Sequence, residues 1–177
     1  MTRILVVYST VDGHTRAICE RLQRSLEDVG HSVTLASLGD AERPDVRPFE
    51  KVVIGASIHY GRYRPEVYDF IRLNQKALED RPSAFFSVNV VARKPGRDTP
   101  AANPYVRSFT RKTTWRPALL AVFAGKIDYP KYGFVDRQVI RLIMWLTHGP
   151  TDPRACVDFT NWEGVDAFAG RIASLQD

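Results

Sequence analysis

The strongest constraint in this chain is a set of short apolar runs that do not alternate. "ILVVYS" from Ile4, "KVVIGASI" from Lys51 and "SAFFSVNV" from Ser83 are almost wholly apolar. A strand with one wet face alternates polar and apolar residues. One that does not is covered on both faces, as in a parallel sheet between two helical layers. The intervening segments have helical spacing: Ile18, Leu22, Leu26 and Val29 ahead of Gly30, then Val67, Phe70, Ile71 and Leu78 behind Pro65. A glycine suits a helix C-terminus and a proline its first turn. "HSVTLASL" predicts a second strand, "ALLAVFAG" half of a fifth, and "ACVDFT" a later strand. Asn103-Pro104 predicts a capped helix through about Thr113. Thr160 with Glu163 predicts a capping box for a last helix that buries Val165, Phe168, Ile172 and Leu175.

Strands alternating with helices predict a doubly wound α/β sheet, and five strands suit a flavodoxin-like order. At 177 residues, one domain over 1–177 is expected. The rhythm breaks at about 126–154, where a long insertion carries its own helix, Asp136 to Thr147, within the fifth-strand region. Insertions of this length are usually functional or separately structured. The longest apolar segment, Val139 to Leu146, is interrupted by Arg141 and falls short of the roughly 20 residues that a spanning helix needs. No signal peptide is expected, because the chain enters a strand pattern at once. These features predict a cytoplasmic protein, touching a membrane without crossing it. With two cysteines and four scattered histidines, neither a disulfide framework nor a metal site is expected. Cys19 is expected in the core, and Cys156 in packing rather than redox chemistry.

In an open α/β sheet, ligands sit beyond the carboxyl ends of the strands. The first such loop, "STVDGHT", offers hydroxyls at Ser9, Thr10 and Thr15, a glycine at Gly13 and a helix N-terminus. Together these suit a phosphate. It is neither a Rossmann fingerprint nor a P-loop. Asp12 fits a phosphate poorly, and it has no acidic neighbour in the chain to suggest a phosphoacceptor cluster. The second loop, "SIHYGRYRP", places Tyr60 and Tyr63 where an aromatic could stack on a planar ring. The third, "SVNVVARKPG", offers Ser87 and Asn89 to a ring edge. In the inserted helix, Arg137 and Arg141 share a face. This suits either a buried cover helix or an interfacial one, with Trp145 in the lipid boundary and arginines at anionic headgroups.

The stretches "YSTVDGHTR", "VVIGASIHYGRY", "PSAFFSVNVVARKP", "WRP", "YPKYGFVDRQVIRLIMW" and "TNWEGV" resemble the quinone-dependent protoporphyrinogen oxidases of bacteria. The resemblance covers nearly the whole chain, and the third loop and the insertion are its most specific parts. It implies a flavodoxin-like enzyme of haem biosynthesis with FMN as cofactor. The phosphate would lie in the loop of Ser9, Thr10, Val11, Asp12, Gly13, His14 and Thr15. The isoalloxazine would lie between Ser57, Ile58, His59, Tyr60 and Gly61 on one side and Ser87, Val88 and Asn89 on the other. It also implies oxidation of protoporphyrinogen IX, with electrons passing to a membrane quinone such as menaquinone. Arg62, Arg64, Arg93, Lys94 and Arg97 suit the substrate's two propionates. Arg137, Arg141 and Trp145 suit contact with membrane or quinone, peripherally on the inner face of the cell membrane. The base that would accept a proton is not identified by the sequence. An NAD(P)H:quinone reductase and an electron-carrier flavodoxin remain open on the same fold. The formal charge of +5 weighs against the carrier, since carriers are commonly acidic, and nothing points to nucleic acid.

Overall fold

A computed structural model describes residues 1–176. Five parallel strands form the sheet: β1 (Arg3–Ser9), β2 (Ser32–Ser37), β3 (Lys51–Ser57), β4 (Ser83–Val88) and β5 (Leu119–Phe123). Their order is β2-β1-β3-β4-β5. Chain direction across the sheet therefore reverses between β1 and β3, which opens a crevice at their carboxyl ends. The helices are α1 (His14–Glu27), α2 (Pro65–Glu79), α3 (Pro104–Lys112), α4 (Phe134–Leu146) and α5 (Trp162–Ala173).

The non-alternating strands are buried as their composition requires. Ile4, Val6, Val53 and Phe86 face one core with α1 and α5, through Ile18, Leu22, Val165 and Phe168. Leu5, Val7, Ile54 and Phe85 face the other with α2 and α3, through Val67, Phe70 and Phe109. Gly55 is a strand glycine with a packing reason. An added Cβ would lie 2.2 Å from Phe86 Cζ.

Local signals held where they rest on backbone chemistry. Asn103 caps α3 by accepting from the N–H groups of Tyr105 and Val106. Gly30 takes φ +90 behind α1. Cys19 is buried in the α1 core. Other expectations are corrected. The first helix ends at Glu27, so Val29 is exposed rather than part of the buried stripe. Asn161, not Thr160, caps α5, accepting from the Gly164 N–H. Thr160 instead donates to the Ala124 carbonyl. The later strand, β7 (Cys156–Asp158), does not resume the sheet. It pairs antiparallel with β6 (Lys126–Asp128) in a separate ribbon, and Cys156 is exposed rather than packed. Among the described residues no helix is long and apolar enough to cross a membrane.

The α1–α5 layer is pinned at its surface. Arg21 donates twice to Asp166, at 2.8 and 2.6 Å, and Ser25 adds a third hydrogen bond at 2.8 Å. Those donors hold the Asp166 carboxyl at about 2, below its ordinary value. A depressed folded-state pKa stabilises the fold above the unfolded value near 3.9, and the contribution is lost as pH falls towards the folded one. Thermal melts should therefore show Asp166→Asn less stable than wild type at pH 6, with the gap narrowing between about pH 4 and pH 2.

Candidate functional site

Three loops leave the carboxyl ends of β1, β3 and β4 and meet in the crevice. Thr10, Asp12, His14, Thr15, Ser57, Ile58, Val88 and Asn89 line one hollow together, with Gly125 and Lys126 closing it. Part of the predicted cofactor set is thus brought to one place, while Ser9, Val11, Gly13, His59, Tyr60, Gly61 and Ser87 do not line this hollow.

The β1–α1 loop presents an uncapped helix start. Gly13 occupies the cap position at φ +81, and no side chain caps α1. The Thr15 hydroxyl is buried without a hydrogen-bond partner. A buried unpaired hydroxyl beside free helix N–H groups fits an incoming oxyanion, so these residues suit the phosphate of a nucleotide. Thr10 shapes the turn by accepting from the Gly13 N–H at 3.0 Å. Two predicted contributors point elsewhere. Ser9 is buried and donates to Glu66 at 2.8 Å. Thr160's one proton goes to Ala124, so His14 Nε2 is the donor in its 2.6 Å contact with Thr160. Burial lowers the His14 pKa, against the pull of Asp158.

The β3–α2 loop is a two-residue hairpin. His59 and Arg62 exchange backbone hydrogen bonds, while Tyr60 and Gly61 between them both have positive φ, 49 and 77. That is the type I′ arrangement, unusual for a tyrosine. Tyr60 is exposed at the mouth and donates to Asp136 of α4. Tyr63 is not a stacking platform. It is buried, edge-on to Phe85 and Phe109, and its hydroxyl donates to Ser87 at 2.7 Å.

Ser87 and Asn89 are likewise committed inward. The Asn89 amide donates to Ser87 at 2.9 Å, and its carbonyl oxygen accepts from the Ala92 N–H and from Asn103. The third loop therefore presents backbone groups and Val90 and Val91 to the crevice, with its polar side chains spent on holding shape.

The insertion supplies the far wall. A second hollow of about 150 Å³ is lined by Ile58, Tyr60, Val90 and Val91 on the loop side and by Ile140, Ile143 and Met144 of α4 opposite. Asp12, His59, Lys126 and Tyr132 stand around it. Its facing apolar walls suit a flat, apolar group.

The basic residues separate by what they hold. Arg93 is spent structurally, donating to Val90 O and, at 3.0 and 2.9 Å, to the carbonyl and hydroxyl of Thr147 at the end of α4. Arg64 lies at the first loop, reaching Glu66 at 3.1 Å and the Thr10 carbonyl at 3.4 Å. Arg62, Lys94 and Arg97 have no side-chain partner among the described residues.

The sequence reading put Trp145 at a contact face with Arg137 and Arg141; in the structure Trp145 is exposed, whereas the two arginines are engaged within the insertion. Arg137 donates to Tyr132 O and Arg141 to Thr151 O, so both point into the insertion. Phe134, 76% exposed, and Trp145, 68% exposed, face outward with Val135, Leu142 and Leu146, while Ile140, Ile143 and Met144 line the cleft. Lys126 and Asp128, 3.5 Å apart, are site residues that the sequence reading missed. They sit in a three-residue strand with no motif to mark it.

The flavodoxin-domain family matches residues 5–154, which defines the class of this protein. The structure is similar to oxidised flavodoxin 1 of Bacillus cereus (TM-score 0.56, 11% identity, 99% of this chain and 100% of that one). It is also similar to an archaeal flavodoxin (TM-score 0.53, 17% identity, 97% and 96%). Among curated proteins, the chain is 43% identical to the quinone-linked protoporphyrinogen IX dehydrogenase of Escherichia coli K12, across 99% of this chain and 97% of that protein. It is 38% identical to the enzyme of the same name from Leishmania major, across 98% and 75%. The chain belongs to the family of quinone-linked protoporphyrinogen IX dehydrogenases, which are oxidoreductases.

A phosphate seated at α1 should depend on the unpaired hydroxyl. Thr15→Val should weaken FMN binding about tenfold, in line with loss of one hydrogen bond to a charged group. Quenching of FMN fluorescence on titration measures it, and an unchanged circular dichroism spectrum controls for folding.

Proposed function

We propose that this protein uses FMN to oxidise protoporphyrinogen IX to protoporphyrin IX in haem biosynthesis and passes the electrons to a membrane quinone, menaquinone in the first instance. Similarity along nearly the full chain to relatives of that name carries the reading, because it includes the insertion that walls the ring cleft. When bound, FMN supplies the two-electron chemistry.

The residues of this chain position and seclude. The α1 N-terminus and Thr15 suit the phosphate. Ile58, Val90 and Val91 face Ile140, Ile143 and Met144 across a cleft that suits the ring and excludes water from its faces. The substrate would meet the ring where the cleft opens to solvent. Arg62, Lys94 and Arg97, without a side-chain partner among the described residues, are cations that suit its propionates. The outward apolar face of α4 suits the lipid boundary in which a quinone dissolves. On this reading the protein is cytoplasmic and peripheral on the inner face of the cell membrane, and lipid is met by aliphatic and aromatic side chains rather than by Arg137 and Arg141.

The deciding experiment is anaerobic incubation of FMN-loaded protein with protoporphyrinogen IX and a menaquinone analogue, following porphyrin fluorescence. A quinone-dependent rate above autoxidation is expected, and its absence overturns the reading. Rapid bleaching of the flavin by NADPH would instead favour a nicotinamide-linked quinone reductase. For membrane contact, Leu142→Glu with Trp145→Glu should abolish sedimentation with liposomes while leaving FMN binding intact. Unchanged sedimentation would remove α4 from the interface.

A further inference from the structure

Asp12 sits in the first loop, yet a phosphate site gives its carboxylate no role. Its carboxylate has no hydrogen-bond or ion-pair partner among the described residues. It lines both hollows described above and a third beside them, between α1 and the β6 segment with Asp128, Lys131 and Tyr132. The groups facing it are His59 from the β3–α2 loop, His14 from α1, Lys126 and Asp128 from β6, Lys131 and Tyr132 ahead of α4, and Asp136 from α4. The side chain reaches solvent at the mouth, with the apolar walls of the ring cleft behind it. An unpaired carboxylate between an apolar cleft and bulk water can take up a proton and pass it on.

We infer that Asp12 is the proton acceptor for substrate oxidation, an assignment that rests on the function proposed above. Each two-electron oxidation of a porphyrinogen removes two hydrogens. One leaves a bridging carbon as hydride, taking the C–H electron pair to the flavin. The other leaves as a proton, from a pyrrole nitrogen in two of the three oxidations and from the fourth bridging carbon in the remaining one: the N–H or C–H bond breaks, its electron pair remains in the macrocycle as the new double bond forms, and the proton moves to Asp12 Oδ. Water at the mouth then carries it away.

Desolvation pushes the Asp12 carboxyl above its ordinary value, against the opposing pull of His59. That brings it closer to the range in which a base works at neutral pH. A base must be unprotonated, so turnover should fall as pH drops through this pKa.

The test compares wild type with Asp12→Asn and Asp12→Glu, all loaded with FMN. Asp12→Asn should bind FMN as tightly as wild type or more so, because a negative charge beside the phosphate is removed. Its kcat should fall about 100-fold with little change in KM, and the acid limb of the pH profile should vanish. Asp12→Glu should keep that limb and recover part of the rate. An Asn variant with wild-type kcat and pH profile overturns the inference. So does one whose lost activity only tracks lost FMN, since Asp12 would then be a cofactor-loop residue. Wild-type protein with no quinone-dependent activity overturns the proposed function and this inference together.

Discussion

Near-complete burial of three adjacent strands on both faces governs this molecule. Once β1, β3 and β4 lose every polar face, helices must cover the sheet from both sides and polar chemistry is pushed to the strand ends. The strand order then makes one end special. Neighbouring connections after β1 and β3 depart towards opposite faces, and the gap between them admits a ligand. The position of the site follows from hydrophobic burial before any site residue is specified.

The insertion builds on that frame by inverting the usual polarity of a surface helix. A helix on a globular protein turns its apolar stripe inward and its charges outward. In α4 the two arginines are drawn in by the carbonyls of Tyr132 and Thr151, and most of the apolar residues are left in water. Exposed apolar area costs roughly 25 cal/mol per Å² relative to burial, so an arrangement of this kind makes physical sense with a partner of low polarity. Arg93 fastens the helix end to the loop after β4, which ties the outer apolar face mechanically to the inner wall of the ring cleft.

How much of this was legible in the sequence depended on the range of the forces involved. Burial of whole strands, the Asn103 cap and the proline start of α2 are local and could be read directly. Side-chain direction in the loops could not. Tyr63, Ser87 and Asn89 have the chemistry to meet a ring, yet each is recruited by a neighbour tens of positions away or by the loop's own backbone. The inserted helix carries apolar residues round most of its circumference, so its pattern did not say which side faces the protein. Thr160 and Asn161 are adjacent cap residues, and the choice between them was made by the Ala124 carbonyl, which the chain brings in from another element.

The buried amide pair of Asn89 and Asn103 has a dynamic corollary. Asn103 donates to Asn89 while its own carbonyl oxygen caps α3, and Asn89 holds Ser87, which in turn holds Tyr63. The loop after β4 is therefore geared to a helix start and to an aromatic cluster in the core. It cannot flex alone on a nanosecond scale as a free loop would. Any rearrangement there moves α3 with it or breaks a helix cap, and through Arg93 it carries the end of α4 as well.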